Sequence, residues 1–314
     1  MSTLAELAGL TADQVPTVEP GSPEWLRYMS ASKIAAVVGL NPWESKYSMW
    51  CVMSGLLDPA PETDQQRRGH YLEPAVAAWL ADQHPEYEMR PGGSWVSREH
   101  PWYLASPDRL FCVDGRVAEL VEVKSDANGE EWGEPGTDEI PIYYRVQVQV
   151  QMDVLGVHRT RLGLITGRLE FREYIVDYDV DDAEYLRAEA EEFLLSIAWG
   201  EMPPIDGHRA TVTSIRRRHP LIDPKTFFDV PDDLATRVIP VLEAEKGAEQ
   251  DLKQAKERAA KARAELLDAM GTRATARYAD TNFARRQAKK GGLPYLVVDS
   301  ALPPAPEPQG AAAA

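Results

Sequence analysis

A mixed α/β fold, α+β around a mixed sheet, follows from three features of the sequence. A central pair of β-forming runs is joined by Asp114-Gly115, a strong two-residue hairpin signal. Apolar residues recur at helical spacing before it, at Ile34, Val37 and Val38 and again at Leu72, Val76, Trp79 and Leu80. Elements then follow as helix–strand–strand–helix–strand–strand–helix until about residue 206.

Residues 1–20 are polar and punctuated by Ala, Gly and Pro, so an irregular N-terminus is expected. From Pro23 the pattern turns globular. SASKIAAVVGL reads as a helix capped by Ser30 or Ser32 and stopped by Gly39. A second helix is expected over 47–56 and a third over 69–83. WYLASPDRLFCVDG and RVAELVEVKS supply the hairpin strands. YYRVQVQVQMDVLG alternates like a strand, but Tyr144, Val148, Gln151 and Leu155 fall on one helical face, which favours a helix. Strands follow at RTRLGLITG and LEFREYIVDYD. The acidic helix DDAEYLRAEAEEFLLSIAWG is expected to be capped by Asp181 or Asp182, with Tyr185, Ala188, Phe193 and Ile197 inward. The globular domain is thus placed at 21–208. Residues 209–235, with Arg216–Arg218 and several prolines, read as a basic linker. Residues 236–300 hold a long Ala/Glu/Lys/Leu-rich helix closed by Gly271, with a coiled-coil-like seam through Ala248, Leu252, Ala255, Ala259, Ala262, Leu266 and Ala269. Residues 301–314 are low-complexity and read as a disordered tail.

Composition excludes several classes. No stretch approaches the roughly 20 apolar residues of a membrane span, and the N-terminus has no basic n-region or apolar h-region, so a cytoplasmic protein is expected. Cys51 and Cys112 are too few for a disulfide framework or a four-thiolate cluster. A net charge of −16 argues at first against a polyanionic partner. The charge is uneven, however. Residues 161–206 hold twelve acids against four arginines, whereas 241–290 hold twelve Lys/Arg against eight acids.

The chemistry is concentrated in Ser106-Pro107-Asp108 and, after thirteen intervening residues, Glu122-Val123-Lys124. On a strand, Glu122 and Lys124 share a face while Val123 points the other way. A two-residue turn alone would pair Asp108 with Val121. A three-residue loop or an equivalent bulge would set Asp108 opposite Glu122, the register favoured here. Two close carboxylates repel unless a hard divalent cation such as Mg²⁺ or Mn²⁺ offsets them. An ion there would activate a water toward a phosphodiester, with Lys124 orienting or deprotonating it. Alone, the pattern more often marks a charged surface hairpin. Nearby, Glu73 close to a helix start is a further candidate ligand, Gln147, Gln149 and Gln151 offer amides, and Arg27 with Ser30 and Ser32 could form a phosphate pocket.

WLRYMSASKIAAVVGLNPW, RGHYLEP, SPD–X13–EVK and YYRVQVQVQMDVLG, in that order, resemble the YqaJ-like viral recombinase family, phage lambda-type alkaline exonucleases of the PD-(D/E)XK nuclease superfamily. WGEMPPIDG resembles the close of that domain. The resemblance implies a restriction-endonuclease-like core, with Mg²⁺-dependent 5′→3′ digestion of double-stranded DNA ends that leaves a 3′ single-stranded tail. It implies Asp108 and Glu122 as metal ligands joined by the Val123 carbonyl, Lys124 as catalytic lysine, Glu73 as the upstream glutamate and Gln147 as the family's glutamine. Ser32, with Arg27, would match the pocket that holds the 5′-phosphate. It further implies a single-strand annealing recombinase as partner, a ring-shaped homotrimer and the cytoplasm of a phage host. Other PD-(D/E)XK endonucleases or single-strand exonucleases, or an inactive DNA- or protein-binding module on the same fold, are the alternatives. The sequence departs from the family pattern at Lys33, where an acidic or small residue is usual, and in the spacing of Arg27.

Overall fold

The computed structural model describes residues 9–305, which divide after Ile222 into two compact units. The first unit opens with β1 (Ala12–Val15), then a 3₁₀ turn (Trp25–Arg27), β2 (Met29–Ser30), α1 (Ala31–Val37), α2 (Lys46–Met53) and α3 (Asp64–Gln83). Next come β3 (Glu88–Pro91), β4 (Ser94–Ser97), β5 (Tyr103–Ala105), β6 (Arg109–Val113), β7 (Arg116–Asp126) and α4 (Ile142–Leu155). β8 (Arg159–Thr166), β9 (Phe171–Asp177), α5 (Val180–Trp199) and α6 (Arg209–Arg218) complete it. The mixed α/β architecture read from the sequence is therefore present.

Its main sheet has the order β3-β6-β7-β8-β9, with β7 and β8 parallel and the other pairs antiparallel. α3 covers one face, where Leu80, Phe111 and Val121 pack together. Gly163 on β8 permits that approach, since a Cβ there would lie 2.7 Å from Val76 and 2.8 Å from Leu80. α4 covers the other face, where Leu120, Leu162, Leu164 and Val148 join the large core. A smaller sheet, β1-β4-β5-β2, continues that core beside α1 and α4.

Several expectations are corrected. Ala12–Val15, inside the segment read as irregular, pairs antiparallel with β4. Backbone hydrogen bonding decides there, because Asp13 and Gln14 carry no apolar signal. α3 begins at Asp64 rather than 69, capped by Thr63 through a capping box with Gln66. α5 is capped by Asp179, whose Oδ1 accepts from the N–H groups of Asp181 (3.0 Å) and Asp182 (3.1 Å). Its inward face is Ala183, Leu186, Ala190 and Phe193, leaving Tyr185 and Ala188 exposed. Residues 209–218, expected in a linker, form α6 and pack on α2. Thr211 and Ser45 hydroxyls lie 2.6 Å apart, and Arg218 donates to the Tyr47 hydroxyl. Arg217 donates to the Asp58 carbonyl at 2.7 Å, so part of the basic knot anchors the helix.

In the second unit, α7 (Asp232–Met270) starts earlier than its first clear Ala/Glu/Lys pattern because Pro240 is accommodated inside the helix. β10 (Thr275–Tyr278), β11 (Thr281–Gln287) and β12 (Tyr295–Val298) form an antiparallel sheet that the reading of this region as all-helical missed. Met270, Ala276 and Ala284 form its small core, flanked by Leu266 and Phe283. Along the proposed seam Ala248, Leu252, Ala255 and Ala262 are exposed. Residues 306–314 of the expected disordered tail lie outside the described residues, as do residues 1–8. No described helix is long and apolar enough to cross a membrane.

Candidate active site

β6 and β7 meet at the hairpin that Asp114-Gly115 marks. Val113 pairs with Arg116, and both loop residues take positive φ, 50° and 75°. A bulge between Phe111 and Cys112 then shifts the ladder by one residue, from Cys112–Val117 to Phe111–Glu119. Arg109 consequently faces Val121, and Asp108 comes level with Glu122, the register favoured from the sequence. Asp108 Oδ2 accepts the Val123 N–H at 2.7 Å, which ties the Pro-Asp turn to β7. On its other side the Gly92 N–H donates to the Asp108 carbonyl at 3.1 Å. A Cβ on Gly92 would lie 1.7 Å from the Pro107 carbonyl oxygen, so only glycine lets the chain pass this closely.

Glu122 is buried against α4 and fully engaged. Its Oε1 accepts from Lys124 Nζ at 2.5 Å and Gln147 Nε2 at 2.7 Å, and its Oε2 accepts from Gln151 Nε2 at 2.9 Å. Gln147 and Gln151 reach one carboxylate because they stand four apart on the helix. Gln149 faces elsewhere, bonding the Asp177 carbonyl and the Asp179 N–H. Lys124 also donates to Gln147 Oε1 at 3.3 Å and sits 4.6 Å from the Tyr144 ring centroid.

The electrostatics follow from this crowding. Burial, then the charge of Glu122, push Asp108 well above the usual carboxylate range; Glu73 adds to this, while Lys124 and the Val123 N–H oppose it. Burial alone would lower Lys124, but Glu122 and Asp108 outweigh it and hold the ammonium above its ordinary value. Glu73 lies mid-helix rather than near a helix start, so the helix dipole gives it no special support. It is held instead by Arg109, whose Nη1 donates to Glu73 Oε1 and to the Asp108 carbonyl, each at 2.6 Å.

Among the described residues, no three His, Cys, Asp or Glu side chains converge as a ready metal cage. The donor chemistry nevertheless fits a hard divalent ion. Asp108 and Glu122 are oxygen donors set side by side, one raised by the other's charge, with only the Lys124 ammonium between them as compensation.

The serine group lies apart from this cluster. Ser30 and Ser32 hydroxyls are 3.2 Å apart, and Ser30 caps α1 without a side-chain bond to its backbone. Arg27 is exposed and paired at 3.7 Å with Glu24. β2 runs parallel to β5 with Ser30 beside Leu104, so the serines border the strand that leads into Asp108. Lys33 is fully buried, donating to the carbonyls of Trp25 (2.5 Å) and Tyr28 (2.6 Å) beneath the Trp25 ring. Burial lowers it to about 7.

Two members of the cluster take roles the sequence does not assign: Gln151 is offered there only as one of three amides, and Arg109 is not singled out. Gln151 had a signal, its spacing of four from Gln147. Arg109 had none beyond adjacency to Asp108.

The sequence profile of the YqaJ-like viral recombinase domain matches residues 24–160. Among solved structures, the chain is similar to an alkaline exonuclease from Laribacter hongkongensis, at 19% identity over 56% of this chain and 90% of that one, TM-score 0.45. The same protein in complex with dAMP matches at 17% identity over 62% and 94%, TM-score 0.45. A phage related exonuclease from Haemophilus somnus 129PT matches at 11% identity over 55% and 96%, TM-score 0.42. No curated protein matches the sequence significantly.

Proposed function

We propose, on the footing of the match between residues 24–160 and the YqaJ-like viral recombinase domain, that the chain is a divalent-metal-dependent deoxyribonuclease that degrades linear double-stranded DNA from its ends. The observation that carries this reading is the level placement of Asp108 and Glu122, with Lys124 beside them, across a bulged hairpin. Asp108, Glu122 and the backbone carbonyl of Val123 would hold Mg²⁺ or Mn²⁺, with Glu73 as an outer carboxylate. When bound, such an ion offsets the two carboxylates and acidifies a water for attack on a phosphodiester.

The remaining residues position and neutralise. Gln147 and Gln151 fix the Glu122 carboxylate in one orientation, as outer partners of a metal ligand do. Lys124, held as an ammonium, offers protons to a phosphate oxygen. The paired hydroxyls of Ser30 and Ser32, with Arg27 shortly before them in the chain, are suited to a terminal 5′-phosphate. On this reading digestion runs 5′→3′, and the 3′ tail it leaves is the substrate of a single-strand annealing recombinase.

The test compares 5′-phosphorylated linear duplex, 5′-hydroxyl linear duplex and closed circular duplex, with and without Mg²⁺. The expected result is metal-dependent loss of linear DNA, fastest with a 5′-phosphate, and intact circles. Asp108→Ala should abolish it while the protein stays folded. Cleaved circles would instead identify an endonuclease, and undiminished digestion by Asp108→Ala would remove the site assignment.

A further inference from the structure

A cleft of about 580 Å³ opens between the chain after α1 and the start of α4. Its walls are mainly apolar, including Leu40, Pro42, Ile142 and Tyr143, and no lysine or arginine lines it. Trp43, 60% exposed, packs edge-on to Tyr143 with centroids 5.0 Å apart at 76°. Tyr143 in turn packs edge-on to Tyr144 at 4.5 Å, and Tyr144 is the ring beneath Lys124 Nζ. Three rings therefore form a ladder from an exposed tryptophan to the lysine beside Glu122.

The exposed end is held in place. Asn41 Oδ1 accepts the N–H groups of Trp43 at 2.8 Å and Glu44 at 2.9 Å. The Asn41 carbonyl is bonded by His208 Nε2 at 3.2 Å, while His208 Nδ1 accepts the Ala210 N–H. The Tyr143 hydroxyl donates to Glu131 at 3.0 Å, engaging the only acid among the lining residues. A large aromatic kept exposed on a loop fixed at both ends is prepared for an apolar, flat ligand.

We propose that Trp43 and Tyr143 form a stacking shelf for an unpaired nucleobase adjoining the phosphodiester held at Lys124. The inference rests on the nuclease reading above and adds a subsite to it. A cleft of this volume lies in the range of small-ligand sites. The lack of cationic lining disfavours a phosphate, whereas ring faces take any base regardless of sequence. A phosphate that reaches the buried Glu122 must come from a strand drawn out of the duplex, which leaves its bases without partners.

The test is equilibrium binding in EDTA, where no strand is cut, read by the anisotropy of an internally labelled duplex. Three ends are compared: blunt, frayed by terminal mismatches, and frayed with terminal abasic sites. Trp43→Ala should weaken binding to the frayed end roughly tenfold, and Trp43→Phe should largely restore it. Removing the terminal bases should weaken the natural chain similarly and leave Trp43→Ala unaffected. If Trp43→Ala binds frayed ends as the natural chain does, the shelf is overturned while the nuclease reading stands. If the natural chain binds no DNA at all, both fall together.

Discussion

Asp108→Asn and Glu122→Gln each remove one negative charge from the same site, yet they should move stability in opposite directions. Glu122 receives three donors, from Lys124, Gln147 and Gln151. A glutamine has one oxygen to offer, so in either orientation its NH₂ confronts a donor, and Lys124 loses its counter-charge while only 15% exposed. Removing one partner of such a buried pair costs about 3–5 kcal/mol. At 2–4 °C per kcal/mol for a unit of this size, that lowers the melting temperature by roughly 6–20 °C. The Asp108→Asn side chain would keep the bond from the Val123 N–H through its oxygen while ending the repulsion from Glu122. The sign follows from linkage. The unfolded carboxyl ionises first, so the natural chain loses stability relative to Asp108→Asn as pH rises from about 4 toward the raised value. Urea denaturation followed by tryptophan fluorescence in EDTA should therefore place Asp108→Asn at or above the natural chain at pH 8, with the gap narrowing toward pH 5. Both variants should lose more than about 100-fold in nuclease activity, the upper range for outer-shell substitutions. Equal destabilisation by the two substitutions, or a Glu122→Gln variant that melts with the natural chain, would refute the assigned hydrogen bonding.

Other consequences are more local. Gln147→Ala and Gln151→Ala should each lower activity about 10- to 100-fold, with a raised Mg²⁺ requirement in a titration of rate against metal. Gly92→Ala forces a Cβ onto the Pro107 carbonyl, so it should lose about 3 kcal/mol or more and most activity, measured by melting and digestion together. Lys33, lowered to about 7 in the fold, is protonated up to about 10 when unfolded. Stability should then fall between those pH values in the acid direction, rising toward alkaline pH by up to about 1.4 kcal/mol per unit, and Lys33→Met should flatten that slope in a pH series of denaturation curves.

The hairpin was legible because Asp114-Gly115 is a local signal and because strand alternation fixes which of Glu122, Val123 and Lys124 share a face. The bulge at Phe111/Cys112 was legible only as one of two registers, since nothing in those residue types marks it. Asp179 is not singled out as the α5 cap by sequence because Asp181 and Asp182 follow it, each a residue type equally suited to cap a helix that starts slightly later. The inward face is likewise rotated, with Leu186 buried where Tyr185 is expected. The Gln147/Gln151 pair was visible as spacing, but its target, Glu122, depends on how α4 crosses β7. The small sheet after α7 was hidden by charge: β10 and β11 carry Arg277, Arg285 and Arg286, and their buried residues are only Ala276 and Ala284, with Phe283 packed beside them.

The extra residue opposite Phe111 and Cys112, Ala118 on β7, makes chain length the quantity that assembles the site. Strand parity has two values, and a single-residue insertion or deletion in β6 exchanges them while the bulge on β7 persists. Deleting Cys112 would keep every proposed ligand in the sequence and send Asp108 to face Val121. Substitutions within 109–121 alter packing by degrees, whereas an odd change in the length of β6 would separate the two carboxylates outright. A compensating change of one residue at the Asp114-Gly115 turn should bring them level again.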